Sequence, residues 1–119
     1  MKFINIPFPP ESETKMKNGS KTATVSTKKI ASPGDRFKAF GDEFEITSEA
    51  KLSLWVAAEK FEFEQGFDFP DAFIREWDKQ NPRKPYYNDP ERQVFLYLFK
   101  KIRRSGNGSR KRPESGDRP

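Results

Sequence analysis

The chain contains no cysteine and no histidine among its 119 residues. Disulfide bonds, thiolate nucleophiles, zinc sites built from cysteine or histidine, and Ser-His-Asp triads are therefore excluded. Any catalysis must use lysine, carboxylate, hydroxyl, tyrosine or backbone groups. Carboxylates brought together by folding could still hold a divalent ion, but no Asp/Asn cluster has calcium-loop spacing. We therefore expect neither a metal nor a cofactor.

The chain also lacks a long apolar run: no 18 consecutive residues are apolar, and no charged-then-apolar leader opens it. The sequence therefore predicts neither a membrane-spanning helix nor a secretory signal. Its 119 residues suffice for one ordinary hydrophobic core, but not for separate catalytic and cofactor domains. We expect a monomeric, cytoplasmic protein with no membrane partner.

The positive charge is concentrated at the C-terminus. The formal net charge is +5, of which residues 103–119 supply +4 and residues 1–102 only +1. This last stretch is rich in Gly, Ser, Pro and Arg, which predicts a folded domain over residues 1–102 and a disordered basic tail over residues 103–119. The tail is interpreted either as a solubilising terminus or as an arm that contacts nucleic acid through its charge.

Residues 18–26 (NGSKTATVS) contain a Gly-x-Lys-Thr run that suggests a phosphate-binding loop. A true P-loop has a glycine directly before its lysine and another five residues earlier, where this chain has Ser20 and Lys15. It also lies between a strand and a helix, whereas here helix signals precede Gly19 and β-branched residues follow it. The run is therefore not a P-loop, and it places Lys21 and Thr24 at the start of a strand.

Hydrophobic periodicity and turn residues predict a series of short elements along the rest of the chain. The predicted strands are an edge strand at 3–6, a hairpin of 36–40 and 43–47 with Phe37, Phe44 and Ile46 inward, a strand at 52–56, and a central, doubly covered strand at 93–99. The predicted helices are 10–17 ended by Gly19, 57–65 ended by Gly66, and one over 68–77 with an N-cap candidate, an early proline, and Phe73, Ile74 and Trp77 on one face.

Five or six short strands with two or three short helices indicate an α+β protein built around a small mixed β-barrel. A closed sheet of this kind hides its strand edges and leaves a mouth where side chains can meet a ligand.

Several motifs, taken in order, resemble the ASCH domain. They are Gly19 to Thr24, Pro33-Gly34-Asp35, Glu64-Gln65-Gly66-Phe67, Asp71-Ala72-Phe73 through Trp77, and the apolar strand 93–99. The match extends over about residues 11–102. The resemblance implies a PUA-like β-barrel, a fold associated with RNA and modified nucleosides. The family that the chain resembles includes members that hydrolyse N4-acetylcytidine, and others linked to RNA binding or ribonuclease activity.

The resemblance also implies working residues. In the amidohydrolase-like members these are the motif lysine and second threonine, here Lys21 and Thr24, and a glutamate directly before the Gly-Phe-like turn. This chain has Gln65 at that last position, with Glu64 one residue earlier, and it has Ser26 where many members carry arginine. Glutamine neither gives nor takes a proton near neutral pH, so Gln65 in the acid position could only form hydrogen bonds.

The residues themselves restrict the chemistry. Thr24 needs a base to become a nucleophile, and without histidine the candidate is Lys21 with a pKa lowered by burial. Three positions apart on a strand, the two side chains point to opposite faces unless a bulge intervenes. The alternative is a solvated Lys21 beside ordinary strand threonines. We predict that Gln65, not Glu64, faces Lys21.

The sequence thus favours a domain that binds RNA or a modified nucleoside at the barrel mouth. Among the candidate ligand-binding residues, the loop residue Tyr87 could stack on a base while Lys84 holds a phosphate. The full set is Lys21, Thr22, Thr24, Arg36, Gln65, Lys84 and Tyr87. The alternative is an amidohydrolase in which Thr24 attacks, Lys21 is the base and Glu64 the proton donor. If Gln65 fills the acid position, no residue is catalytic.

Overall fold

The structure is a computed structural model that describes residues 2–104, with side chains through residue 102. It is an α+β fold with three short helices, as the sequence predicted, but its sheet is antiparallel where a mixed sheet was predicted. The helices are α1 (Glu13–Lys17, after a 3₁₀ turn at Pro10–Ser12), α2 (Leu54–Lys60) and α3 (Pro70–Gln80). The strands are β1 (Ala23–Ser26), β2 (Arg36–Ala39), β3 (Asp42–Ser53) and β4 (Gln93–Arg104).

The sheet has four strands in the order β1-β4-β3-β2, so the prediction of five or six strands was wrong. The predicted first strand is reduced to one parallel bridge between Phe3 and Arg36. Proline occupies positions 7, 9 and 10, and a residue without an N–H cannot extend a ladder. Two register shifts in β3 bend the sheet into a barrel-like curl, but within residues 2–104 the edge strands β1 and β2 do not pair.

The β2–β3 hairpin forms through a two-residue turn at Phe40 and Gly41. Both residues have positive φ, at 54° and 83°, as a type I′ turn requires. The turn places Phe37, Phe44 and Ile46 in the core, as predicted.

The segment after β3 differs from its prediction, because the apolar residues 54–56 begin α2 and do not form a strand. Leu54, Ala57 and Ala58 are buried at helical spacing, so the run packs as one helix face. The main-chain N–H groups of Leu54 and Trp55 donate to the carbonyls of residues 92 and 90, which satisfies two of the first N–H groups of the helix without a side-chain cap. The helix ends at Lys60, and residues 61–66 form turns up to Gly66.

Strand β4 is central and contributes to two hydrophobic clusters, as its pattern predicted. Tyr97 and Phe99 belong to the first cluster, with the β2–β3 hairpin, Ile6 and Met16. Val94 belongs to the second, which contains the buried faces of α2 and α3. The strand also includes residues 103 and 104, beyond the predicted domain boundary. The rest of the predicted tail lies outside the described residues.

No helix within residues 2–104 is both long enough and apolar enough to cross a bilayer.

Phe99 is the central ring of the first cluster. Its ring meets those of Phe37 and Phe44 edge-on, with centroids 5.2 and 5.5 Å away. We expect Phe99→Ala to lower the free energy of unfolding by about 3–5 kcal/mol, measured by chemical denaturation, because it removes a buried ring and leaves a cavity. Phe63→Ala is the matched control, since Phe63 is 67% exposed. Equal losses in the two variants would contradict this assignment of the core.

Candidate functional site

Lys21 reaches its position through a bend between α1 and β1. Gly19, with φ of 84°, ends the helix, and the Lys21 N–H donates to the carbonyl of Lys15 at 3.0 Å. The next two N–H groups, of Thr22 and Ala23, both donate to the carbonyl of Glu64, at 2.7 and 2.9 Å. Two successive amides directed at one acceptor interrupt the alternation of a strand. The bend therefore allows Lys21 and Thr24 to line the same cavity.

This cavity has a volume of about 380 Å³ and lies along the outer edge of β1. Residues 5–9 form one wall, α3 forms the opposite wall, and residues 65–67 contribute to the lining beside Lys21. Its polar lining groups come from four separate segments of the chain and are Asn5, Lys21, Thr24, Ser26, Thr27, Gln65, Glu76, Gln80 and Asn81.

The Lys21 side chain is 9% exposed and lies between two aromatic rings. Its Nζ is 5.9 Å from the ring centroid of Phe8 and 5.8 Å from that of Phe67, and it donates to the carbonyl of Gln65 at 2.5 Å. Burial, together with the positive charge of Lys15, lowers the pKa of Lys21 to about 8, and the negative charge of Glu76 opposes this change. The amine is therefore mostly protonated at pH 7 but far easier to deprotonate than an exposed lysine.

Gln65 lies in the cavity with its side-chain nitrogen already bonded. Nε2 donates to the carbonyls of Ala57 at 2.9 Å and Phe61 at 3.3 Å, so both of its N–H groups are used within the fold. Two carbonyl acceptors also fix the orientation of the amide, because an amide oxygen could not face them. Gln65 can consequently offer a ligand only its oxygen.

Gly66 allows the close approach of this turn to Lys21. Its φ is 94°, and a Cβ there would lie 3.4 Å from both Cβ and Cδ of Lys21. A side chain at this position would combine backbone strain with crowding of the lysine stem.

Glu64 does not line the cavity, whereas Glu76 does. Glu64 acts through its main-chain carbonyl, which holds the start of β1. Glu76 extends from α3, and its Oε2 accepts a hydrogen bond from Gln80 Nε2 at 2.6 Å. Sequence reasoning missed Glu76. The available signal was its place directly before Trp77 and three residues after Phe73, on the inward face of α3.

The remaining predicted ligand-binding residues are not brought to the cavity. Thr22 is half-buried, and its carbonyl accepts from the N–H of Phe99 in β4. Arg36 forms ion pairs in the β2–β3 hairpin, with Glu43 at 3.2 Å and Glu45 at 3.5 Å. Lys84 and Tyr87 lie on the segment after α3, and both side chains are exposed. Trp77 Nε1 donates to the Lys84 carbonyl and holds that segment against the helix.

The cavity can therefore offer one cationic amine, several hydroxyls, an amide oxygen and a carboxylate between aromatic walls. Lys21 Nζ has no carboxylate within salt-bridge distance in the described part of the chain, so its hydrogen-bond partner is a neutral carbonyl. Among the described residues, no group of three or more carboxylates is placed to hold a metal ion.

Fold and cavity together define a small α+β domain with a polar ligand cavity at a sheet edge. The chain has the fold of the ASCH domain. It is similar to the crystal structure of an ASCH domain from Lactobacillus crispatus JV V101, with a TM-score of 0.61 and 14% identity over 86% of this chain and 79% of that one. No family model and no curated protein matches the sequence.

Two further solved structures share this fold. Protein EF3133 of Enterococcus faecalis V583, a DUF984 protein, aligns with a TM-score of 0.63 and 14% identity over 92% of this chain and 84% of that one. The hypothetical protein PH0355 aligns with a TM-score of 0.64 and 15% identity over 86% of this chain and all of that one. At these identities the likeness concerns the fold alone.

The lowered pKa of Lys21 predicts a pH dependence of stability. Between about pH 8 and pH 10.5 the unfolded chain keeps the Lys21 proton and the folded chain has lost it, so stability rises with pH. We expect the free energy of unfolding to rise over this window by up to about 3 kcal/mol more in the wild type than in Lys21→Met. Lys28→Met, at an exposed lysine, should keep the rise. A Lys21→Met curve parallel to the wild type would contradict the assignment.

Glu76 should modulate the same amine. Because its negative charge raises the pKa of Lys21, we expect Glu76→Gln to lower that pKa below about 8. The pH midpoint of Lys21 acylation, followed by peptide mass spectrometry, measures the change. Asp71→Asn is the matched control on the same helix, since Asp71 lies outside the cavity. A midpoint that moves equally in both variants would point to a general charge effect.

Proposed function

We propose that the cavity binds a modified nucleoside or an unpaired RNA base. The observation that supports this most directly is the buried, mostly protonated Lys21, whose amine has a neutral carbonyl as its hydrogen-bond partner. A nucleobase carbonyl or a phosphate oxygen would give that amine a stronger acceptor. The ring faces of Phe8 and Phe67 beside the amine add apolar surface that suits a planar base.

The acceptors of the cavity complement the donors of a base. The Gln65 oxygen and the Glu76 carboxylate can accept hydrogen bonds from exocyclic amines or ring N–H groups, as carboxylates do with the amino group of cytosine. Hydroxyls of Thr24, Ser26 and Thr27 can serve as donors or acceptors toward a ribose. A ligand with donors on one edge and a carbonyl on another would therefore satisfy groups on both walls.

A titration with cytidine, N4-acetylcytidine and a short single-stranded RNA tests this function by calorimetry or chemical-shift changes. We expect Lys21→Met to weaken binding about 10- to 100-fold, since it removes a hydrogen bond from a charged donor. Lys84→Met is the matched control, because Lys84 is exposed and outside the cavity. Equal weakening in both variants would indicate a diffuse charge effect. No saturable binding at millimolar ligand would refute the proposal.

The second candidate function is hydrolysis of an acylated cytidine, favoured by the lowered pKa of Lys21 and the presence of Thr24 in the same cavity. In that reaction the Thr24 oxygen would attack the acyl carbonyl while Lys21 takes its proton. Water would then release the acid, so that acylcytidine and water give cytidine and a carboxylic acid. Gln65 in place of a proton donor opposes this function, because an amide cannot protonate the leaving amine.

Incubation with N4-acetylcytidine and chromatography for cytidine separates the two functions. For a binding domain we expect no cytidine from the wild type. Gln65→Glu would bring a carboxylate against the carbonyls of Ala57 and Phe61, so it should turn toward Lys21 or stay protonated. Hydrolysis gained in Gln65→Glu and lost on adding Lys21→Ala would show that one amide restrains catalysis. Wild-type turnover lost in Thr24→Ala would establish the hydrolase.

A further inference from the structure

A second groove, independent of the first cavity, opens where α2 and α3 begin. It measures about 330 Å³ and shares no lining residue with the first cavity. Its walls come from α2, α3 and the segment before β4, and its lining residues are Trp55, Glu59, Pro70, Asp71, Ile74, Tyr86, Tyr87, Pro90 and Glu91.

Two tyrosines give this groove a fixed aromatic corner. The rings of Tyr86 and Tyr87 are 4.9 Å apart and nearly perpendicular, at 85°. Tyr86 is buried, while Tyr87 is 72% exposed, an unusual position for a large ring with no apolar cover. The Tyr86 N–H donates to Asp78 Oδ1 at 2.7 Å, and the Trp55 N–H donates to the Pro90 carbonyl at 2.9 Å. The corner is therefore held by hydrogen bonds on both sides.

The charged residues that line the groove are all acidic. Glu59, Asp71 and Glu91 line the groove, and no lysine or arginine within residues 2–104 does, although the chain as a whole is basic. Asp71 has a local role at the start of α3, but Glu59 lies in the last turn of α2, where the helix dipole disfavours a carboxylate. Burial raises the pKa of Tyr86, and the charges of Glu59, Tyr87 and Glu91 raise it further.

Aromatic faces combined with carboxylates are the arrangement that recognises an organic cation. A lysine or arginine side chain fits both parts, because its apolar stem can pack on Pro70 and Ile74 while its head reaches the rings and acids. We propose that this groove binds the arginine or lysine side chain of an extended basic segment of a partner protein.

The Arg110-Lys111-Arg112 run of the same molecule is too short to reach the groove. Strand β4 begins beside it, since the Leu54 N–H donates to the Arg92 carbonyl, and ends at Arg104. The strand carries the chain about 36 Å away, at roughly 3.3 Å a residue. The Arg110-Lys111-Arg112 run follows within eight residues of that end, which span at most about 28 Å. That run therefore falls short of the groove, and the negative charge of the groove favours a basic segment of another molecule.

The test uses the full chain and the peptide acetyl-Gly-Arg-Pro-Lys-Gly-amide, followed by proton–nitrogen NMR. The chain has two tryptophans, so the indole signal of Trp55 reports on the groove and that of Trp77 on the first cavity. We expect saturable shifts of the Trp55 indole alone. A peptide with citrulline for arginine and norleucine for lysine should bind at least about tenfold more weakly, because it keeps the shape and loses the charge.

Two variants locate the binding. Tyr87→Ala and the double variant Glu59→Gln with Glu91→Gln should each weaken the basic peptide at least about fivefold. Their matched controls are Phe63→Ala and Glu11→Gln, an exposed ring and an exposed carboxylate outside the groove. Equal affinity of the uncharged peptide, unchanged affinity in the variants, or shifts confined to Trp77 would overturn the proposal. Self-association that the peptide reverses would overturn the partner-protein assignment and identify a second copy as the occupant.

Discussion

Two neighbouring carbonyl groups, those of Glu64 and Gln65, hold the candidate site together. The first accepts the N–H groups of Thr22 and Ala23 and so fixes the bend at the start of β1. The second accepts the Lys21 amine, and the side chain of Gln65 ties the same turn to α2. One short turn therefore sets the position of the strand and the direction of the lysine. A buried N–H or amine without such an acceptor would cost about 1–3 kcal/mol, more for the charged group.

The lysine itself works against the stability of the fold. Desolvation of its charge is the main reason for its lowered pKa, and the negative charge of Glu76 offsets only part of that effect. An apolar side chain at position 21 would avoid this desolvation cost. Packing alone therefore does not explain why the chain has a lysine at this position. Unfavourable burial of this kind is typical of binding and catalytic sites.

Much of the fold was predictable because its signals are local. The apolar spacing of Phe73, Ile74 and Trp77 identified α3, and alternation identified the hairpin and the central strand. The start of α2 was not predictable in the same way, because Leu54, Trp55 and Val56 suit either a strand or a helix. The contacts that favour the helix, hydrogen bonds to residues 90 and 92 and burial of one helix face, come from parts of the chain distant in sequence. Glu76 was missed for a related reason, since nothing local indicates that α3 packs beside β1.

The short edge strands also affect how the domain behaves in crowded solution. β1 and β2 have four residues each, while the central strands have twelve. The Glu64 carbonyl covers the start of β1, and residues 2–4 cover part of β2. The cavity walls, residues 5–9 and α3, lie beside the outer edge of β1, and a strand from another chain would have to pair with that edge. The same walls that leave room for a small ligand therefore exclude an extended backbone, and they protect the sheet against edge-to-edge aggregation.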